Sequence, residues 1–333
     1  MKSFMIRENH KEIRPSTETK AEASFFTSQI ILFNSRRKHG LLYSFATAAG
    51  LFCLQGMLSV MGAETEVHPL LQKTIPLPFI TLMIAVGMYV LNDLVDADID
   101  RVNSKNRPIP SGLVSKRQAW SFIILTNGLA VVISLATFNL VGILLLVPMI
   151  VIGILYSLPK QTAFMNRFLL KNISIASFYM LCTMLGFTSS YSIDLVVKHP
   201  LVAIHTMAMS GIMIFVGSTV NDLGDIKGDK GAGRRTIPIV LGGSKTVKIL
   251  IILLGTMPAI SWLLYTTFDK SYSLGTMITP IAITVVAALA IVRMSKIKKV
   301  FEDMKLMQQQ HRKWFPLYMI LQSAMVISSF ISI

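Results

Sequence analysis

Charged residues are scarce in this sequence: only 15% of its 333 residues are Asp, Glu, Lys or Arg, against roughly 25% in an ordinary soluble domain. Hydrophobic residues make up 53%. Cysteine is nearly absent as well, since Cys53 and Cys182 each stand alone in an apolar run. A disulfide framework and a cysteine-ligated zinc site are therefore not expected. The composition argues against a soluble protein and favours an integral membrane protein.

Eight charge-free stretches mark where the chain is expected to cross the bilayer, whose hydrocarbon core needs roughly 20 mostly apolar residues per helix. They are residues 41–63, 74–92, 118–159, 172–193, 199–221, 249–268, 271–292 and 314–333. The third is about twice as long as one span requires, and a turn at Asn139 and Gly142 would divide it into two helices. The sequence therefore predicts an all-α integral membrane protein with nine transmembrane helices.

The basic residues divide unevenly between the two faces that nine spans define. Of the 32 Lys and Arg residues, 29 fall on the N-terminal side, and only Lys73, Lys198 and Lys270 fall on the other. By the positive-inside rule the crowded face is cytoplasmic. We therefore expect a multi-pass protein of the cell membrane with a cytoplasmic N-terminus and its C-terminus on the opposite face. Its positive charge is expected to meet membrane lipid, not nucleic acid.

Residues 1–35 are expected to form a cytoplasmic leader, and residues 36–333 the transmembrane domain. The leader mixes both charge signs and has no apolar core near its start, so we expect no cleaved signal peptide. Its last part, residues 24–34, is rich in Phe, Ile and Leu and precedes Arg36, Arg37 and Lys38. This part is either an interfacial helix or a tail with a hydrophobic end.

Two acidic clusters occupy matching positions at the cytoplasmic ends of the second and sixth predicted spans. The first reads NDLVDADID from Asn92 to Asp100, and the second reads NDLGDIKGD from Asn221 to Asp229, so that five of nine positions agree. A basic loop follows each cluster, with RPIP beginning at Arg107 in one and RTIP beginning at Arg235 in the other. The sequence therefore contains an internal repeat of a helix, an acidic motif and a basic loop.

Oxygen-bearing side chains recur every four residues in each cluster and so share one helix face. They are Asn92, Asp96 and Asp100 in the first and Asn221, Asp225 and Asp229 in the second. Carboxylates this close repel one another, and at the C-terminal end of a helix they also oppose the macrodipole. A cation is therefore expected between them, and ligands that are all oxygen favour Mg²⁺ over Ca²⁺ or Mn²⁺.

The other acids of the clusters differ in their expected roles. Asp93 and Asp222 match each other but are offset from the shared face, so we predict occasional metal ligands. Asp98, whose counterpart is Lys227, is expected to be solvated or salt-bridged. The alternative for all these acids is that they are hydrated and paired with nearby Lys and Arg, but two matching copies argue against it.

Basic residues crowd the same loops, and acids together with bases suggest a bound polyanion. Carboxylates hold Mg²⁺, Mg²⁺ bridges phosphate oxygens, and Arg or Lys neutralises the remaining charge. Arg107 and Arg235 are the preferred cations because they share a repeat position. For Lys116 and Arg117 we favour the alternative, which is topology-setting charge at the lipid surface.

Three segments of the sequence resemble the signature motifs of the UbiA-type intramembrane prenyltransferases. They are N-D-x-x-D-x-x-x-D-x-x-N from Asn92 to Asn103, RPIPSG from Arg107 to Gly112, and N-D-x-x-D-x-x-x-D from Asn221 to Asp229. The likeness extends from about residue 36 to the C-terminus and includes a Tyr-Ser segment with a basic follower. The resemblance implies that Asp96, Asp100, Asp225 and Asp229 are catalytic. It implies metal binding by these four with Asn92, Asp93, Asn221 and Asp222, and diphosphate binding by Asn92, Asn103, Lys105, Arg107, Tyr156, Ser157, Lys160, Asn221 and Arg235. Arg167 or Lys171 are possible substitutes for Lys160.

The resemblance also implies a fold and a reaction. The expected fold is a ring of nine helices around a central cavity, capped by cytoplasmic loops. An allylic isoprenoid diphosphate binds there through Mg²⁺, with two ions expected, and loss of diphosphate leaves an allylic cation that an acceptor attacks. A dry apolar chamber keeps water from that cation. No His stands in the motif loops, so the departing diphosphate is expected to take the proton of the acceptor.

The RPIPSG loop resembles the branch of the family that contains archaeal digeranylgeranylglyceryl phosphate synthases and chlorophyll synthases. We therefore expect geranylgeranyl transfer from geranylgeranyl diphosphate to geranylgeranylglyceryl phosphate, a lipophilic acceptor of ether-lipid synthesis. The alternatives are a quinone or tetrapyrrole precursor as acceptor, and cyclisation of the donor without an acceptor. A transporter fits less well, because the spans themselves contain no Asp, Glu, Lys or Arg.

Overall fold

The structure, a computed structural model, describes most of the chain. The described residues are 22–60, 76–102, 107–136, 140–157, 168–190, 200–231, 233–268, 274–300 and 313–331. The predicted site residues Asn103, Lys105 and Lys160, and the alternative Arg167, lie outside these ranges. So does most of the predicted leader.

Helices account for nearly all of the described chain, which confirms the predicted all-α class. They are α1 Phe25–Val60, α2 Pro76–Val95, α3 Ala97–Val102, α4 Lys116–Ala136, α5 Leu140–Ser157, α6 Phe168–Ser190, α7 Pro200–Gly231, α8 Ile237–Leu241, α9 Gly243–Phe268, α10 Leu274–Val300 and α11 Phe315–Ile331. A two-residue strand, β1 Arg235–Thr236, precedes α8. Thr236 forms a parallel bridge with Phe168 at the start of α6.

Each of the nine predicted spans falls on one of the longer helices of the described chain. Six of these helices, α2, α4, α6, α7, α9 and α10, are long and apolar enough to cross a membrane, and α5 and α11 contain shorter apolar helices. The protein is therefore a multi-pass membrane protein. The count of nine spans and the sides on which the termini lie stay predictions.

Helix α1 runs unbroken for 36 residues, so residues 24–34 lead directly into the first predicted span. Ser28, Leu32 and Arg36, spaced four residues apart, are buried on one face of this helix. Phe26 and Ile30 point away from the protein and are 79% and 62% exposed. No proline interrupts the segment, so every residue can supply a backbone N–H to the helix. The interfacial location of this part stays a prediction.

The helices contact one another in a closed circuit that leads from α1 through α2, α5, α6, α7, α9, α10 and α11 back to α1. Helix α4 packs against α2, and α1 also packs against α6 across the circuit. Two glycines permit this crossing: a Cβ atom at Gly50 would lie 2.0 Å from the Thr183 carbonyl oxygen, and one at Gly186 would lie 2.2 Å from that of Thr47. Small residues allow such close approach of membrane helices.

Candidate active site

The backbone keeps the predicted shared face in both acidic clusters. In the first, Asp96 donates its N–H to the Asn92 carbonyl and Asp100 donates to the Asp96 carbonyl, both at 2.9 Å, so helical spacing persists across the junction of α2 and α3. In the second, α7 continues to Gly231 and contains the whole cluster. Each trio therefore lies on one side of its helix.

The two clusters meet at Arg234. Its Nη2 donates to Asp96 Oδ1 at 2.6 Å, and its Nη1 donates to Asp229 Oδ1 at 3.2 Å. The three side chains are at most 15% exposed. Because a guanidinium group is planar and rigid, a carboxylate of the first cluster and one of the second lie beside the same small group. The repeats therefore converge on one site.

The fold places Arg234 by a turn at the end of α7. Gly233 has a φ of 67°, a left-handed conformation that glycine adopts without strain. The next residue, Arg234, then donates its N–H to the Asp229 carbonyl at 2.9 Å. Thr236 in the following strand is buried and Arg235 is exposed. Since side chains alternate along extended chain, Arg234 lies on the inner side with Thr236.

Burial disfavours the charge of Arg234 and lowers its pKa, but the neighbouring carboxylates of Asp96 and Asp229 outweigh burial, so that the pKa is raised above its ordinary value. The guanidinium therefore stays charged at every pH at which the protein is folded. It is a permanent cation between two carboxylates.

Two arginines neutralise the first cluster. Asp93 is buried and accepts hydrogen bonds from Arg36, by Nε at 2.6 Å and by Nη2, and from Arg107 Nη1 at 2.7 Å. The same Nη1 also donates to Asp100 Oδ2. Asp98 is exposed and forms an ion pair with Arg101 at 2.8 Å, as its lack of a counterpart led us to expect. Of the first cluster, Asp93 and Asp100 are therefore the deeply buried acids.

Helix α6 supplies the cation for the second cluster. Lys171 Nζ donates to Asp222 Oδ1, and Asn172 Nδ2 donates to Asp222 Oδ2 at 3.1 Å and to Thr219 Oγ1 at 2.9 Å. Asp222 and Lys171 are both buried. The offset acids Asp93 and Asp222, predicted as occasional metal ligands, thus each bind a cation from the helix that contacts their own.

An apolar cavity of about 50 Å³ lies directly beside these clusters, between α1, α2, α5 and α6. Its lining consists of Tyr43, Ala85, Met88, Tyr89, Asn92, Ile152, Gly153, Tyr156, Ser174, Ile175 and Phe178. Asn92 and Tyr156 belong to the predicted site, and Tyr156 is within electrostatic reach of Asp96, Asp222 and Arg234. One end of the cavity is therefore polar and shared with the clusters.

The structure places some predicted site residues differently from the sequence. Asn92 and Tyr156 line the cavity, Asp96 and Asp229 meet at Arg234, Arg107 binds Asp100, and Ser157 is buried next to Tyr156 in the chain. Asp225 is half-buried, whereas Asn221 and Arg235 are exposed. The repeat pointed to Arg235, but its neighbour Arg234 makes the bridge. Side chains alternate in extended chain, so counting back two residues from the buried Thr236 would have identified Arg234 as the inward arginine. No pattern in the sequence would have identified Arg36.

Among the described residues, no three Asp, Glu, His or Cys side chains are grouped closely enough to hold a metal ion together. Instead, arginine side chains lie between the acids. Within the same residues, the buried Oδ2 of Asp229 accepts no hydrogen bond. This oxygen has a lone pair to offer, and Asp96 brings carboxylate oxygens to the same arginine; oxygen ligands of this kind fit a hard divalent ion.

A family model described as UbiA prenyltransferase family matches residues 45–308. The digeranylgeranylglyceryl phosphate synthase of Methanoculleus marisnigri is 28% identical over 204 residues, which cover 60% of this chain and 66% of the relative. That of Methanosphaera stadtmanae is 31% identical over 212 residues, which cover 62% and 72%. The matched region thus spans about two thirds of the length of these curated relatives.

Two solved structures show the same fold. One comes from work on digeranylgeranylglyceryl phosphate synthase in membranes and has a TM-score of 0.63 at 20% identity, covering 92% of this chain and 99% of its own. The other is a UbiA homolog from Archaeoglobus fulgidus bound to GPP and Mg²⁺, with a TM-score of 0.53 at 16% identity and coverage of 89% and 99%. At such identities the likeness concerns the fold.

Proposed function

Since the chain belongs to the UbiA prenyltransferase family, we propose that it transfers a prenyl group from an allylic isoprenoid diphosphate to a lipophilic acceptor inside the membrane, as part of ether-lipid synthesis. The proposed donor is geranylgeranyl diphosphate, and the proposed acceptor is geranylgeranylglyceryl phosphate. One observation carries the proposal: Asp96 and Asp229, one from each repeat, meet at Arg234 next to an apolar cavity. The names of the relatives support the lipid acceptor.

The polar end of the cavity suits a diphosphate because it combines rigid cations with carboxylates. Arg107 and Arg234 present guanidinium groups that match phosphate oxygens in a two-pronged geometry. Each already binds two carboxylates, so a diphosphate has to compete for them. In the proposed complex these arginines would turn to phosphate, and the carboxylates of Asp96, Asp100 and Asp229 would then be available to hold the metal.

Mg²⁺ is the proposed cofactor, and the Mg²⁺ bound to the Archaeoglobus fulgidus homolog supports this choice of ion. We propose two ions, because there are two acidic clusters. Its ligands would come from the shared faces, Asp96 and Asp100 with Asn92, and Asp225 and Asp229 with Asn221. The oxygen donors and the unpartnered Asp229 Oδ2 fit this ion. When bound, Mg²⁺ neutralises the charge that develops on the departing diphosphate.

The cavity has the properties that the reactive end of a prenyl chain requires. Its walls are mainly apolar, and the hydroxyl groups of Tyr43 and Tyr89 are 3.0 Å apart and hydrogen-bonded to each other. Tyr43, Tyr89 and Phe178 line the space, and aromatic rings attract a cation. In this proposal the apolar walls keep water from the positive charge that forms when diphosphate departs, and the aromatic rings favour that charge.

Turnover by the purified protein tests this proposal. The protein in detergent, with Mg²⁺ and radiolabelled geranylgeranyl diphosphate, is expected to release diphosphate and to label geranylgeranylglyceryl phosphate. Labelling of a quinone or tetrapyrrole precursor instead would contradict the proposed acceptor. Loss of the donor without any adduct would indicate cyclisation, and an intact donor in every mixture would contradict prenyl transfer altogether.

A further inference from the structure

Arg36 lies outside the residues that the family model matches, which begin at residue 45, yet it binds an acid of the first motif. Its guanidinium donates to both carboxylate oxygens of Asp93, by Nε to Oδ2 at 2.6 Å and by Nη2 to Oδ1. The side chains of Arg36 and Asp93 are 10% and 2% exposed. A paired, buried contact of this kind is among the stronger polar interactions in proteins.

Asp93 has a second cation, because Arg107 Nη1 donates to its Oδ1 at 2.7 Å and also to Asp100. One buried carboxylate is therefore shared by two arginines. A buried charge that loses its last partner is strongly destabilised. Because Arg36 holds both oxygens of Asp93, Arg107 can leave without causing that loss.

The second repeat contains an equivalent arrangement. The acid that directly follows the motif asparagine is Asp222, and it is bound by Lys171 and Asn172 of α6, which contacts α7 as α1 contacts α2. In both repeats, a cation from the adjacent helix thus compensates this acid. The remaining arginines, Arg107 and Arg234, contact the acids of the shared faces.

Hydrogen bonds also join the beginning of α1 to the loop that starts at Arg107. Ala23 donates its N–H to the Leu113 carbonyl at 3.1 Å, and Gln118 Nε2 donates to the Ala23 carbonyl at 2.7 Å. Residues 22–36 therefore contact both the acid that holds Arg107 and the loop that carries it. This segment is suited to position Arg107.

We propose that Arg36 is a positioning residue, which compensates Asp93 so that Arg107 can turn from the carboxylates to the diphosphate of the donor. This inference rests on the proposed diphosphate site. Arg36 itself touches neither substrate nor metal. Without Arg36, Arg107 is the one cation among the described residues that still binds the buried Asp93, and it stays bound to it.

The test compares Arg36→Met with Arg37→Met, since Arg37 is the exposed neighbour on the same helix. Calorimetric titration with inorganic pyrophosphate and Mg²⁺ measures the diphosphate site without turnover. We expect Arg36→Met to weaken binding roughly tenfold or more, the cost of a charge-assisted contact, and Arg37→Met to leave it unchanged. In turnover, KM for the donor is expected to rise more than kcat falls. If Arg36→Met binds pyrophosphate as tightly as the wild-type protein does, the proposal is overturned.

A double variant separates positioning from a general structural role. In Arg36→Met/Asp93→Asn the charge of Asp93 no longer holds Arg107, and Asp100 remains its partner as in the wild-type protein, so pyrophosphate binding is expected to return to within about threefold of the wild-type protein. Failure of this rescue overturns the proposal, because Asp93 is then needed for itself. If Arg36→Met does not fold, Asp93→Asn is compared in its place. The double variant is then expected to bind pyrophosphate as Asp93→Asn does. Arg36-dependent pyrophosphate binding without prenyl transfer would refute the proposed function and leave this inference standing.

Discussion

Asp96 and Asp229, one from each copy of the acidic motif, accept hydrogen bonds from the two terminal nitrogens of a single Arg234 guanidinium. Each acid is more than 130 residues along the chain from the other, so only the packing of α2 and α7 within one bundle brings them together. Two acids that share one cation can also share one metal–diphosphate complex. The arrangement makes the roles of individual charges separable by substitution.

Replacing Asp96 by Asn is expected to lower turnover about a hundredfold or more, a typical loss when one electrostatic stabiliser of a transition state is removed. The matched control is Asp98→Asn, because Asp98 lies in the same cluster but is exposed and paired with Arg101. Diphosphate release is the measurement. Equal rates in the two variants would show that Asp96 has no special role.

Arg234 and Arg235 are neighbours that the structure distinguishes. Arg234→Ala is expected to weaken donor binding roughly tenfold or more, whereas the exposed Arg235 is expected to tolerate alanine. Arg234→Lys should restore little, since an ammonium group cannot reproduce the planar fork. KM values for the donor decide the matter, and a larger effect at Arg235 would favour the assignment that the repeat position suggested.

The shared faces of the clusters could be predicted from sequence because spacing of four residues is a local property of a helix. The cations that bind these acids could be predicted less well. The repeat identified Arg235, but alternation in the extended chain turns Arg234 inward instead. Arg36 is 57 positions from Asp93, and its pairing depends on how α1 packs against α2. The cavity likewise depends on which helix faces meet, and no single segment encodes that.

Chelation of divalent ions is expected to abolish turnover and to leave the protein folded. The buried acids Asp93, Asp100 and Asp229 already have arginine partners, so metal removal does not expose an uncompensated charge. We expect the melting temperature to fall by no more than about 4 °C. Turnover should return with Mg²⁺ better than with Ca²⁺ because a compact diphosphate site favours the smaller ion. Full activity in excess chelator would contradict the metal assignment.

Gly186→Ala tests the crossing of α1 and α6, which forms one wall of the cavity. The added methyl group would lie 2.2 Å from the Thr47 carbonyl oxygen and 2.7 Å from the Leu51 nitrogen, and backbone atoms cannot move aside as a flexible side chain can. The two helices must then separate, at a cost of about 1–3 kcal/mol. Gly128→Ala is the matched control, because nothing lies within 4 Å of its added carbon and alanine favours the helix. Thermal unfolding in detergent should show a lower midpoint for the first and an equal or higher one for the second. Tyr43 and Phe178, which belong to these two helices and line the cavity, make an edge-to-face contact with ring centroids 5.1 Å apart, so Gly186→Ala should also lower turnover. A variant that is destabilised but fully active would show that this wall of the cavity does not contact the reacting prenyl group.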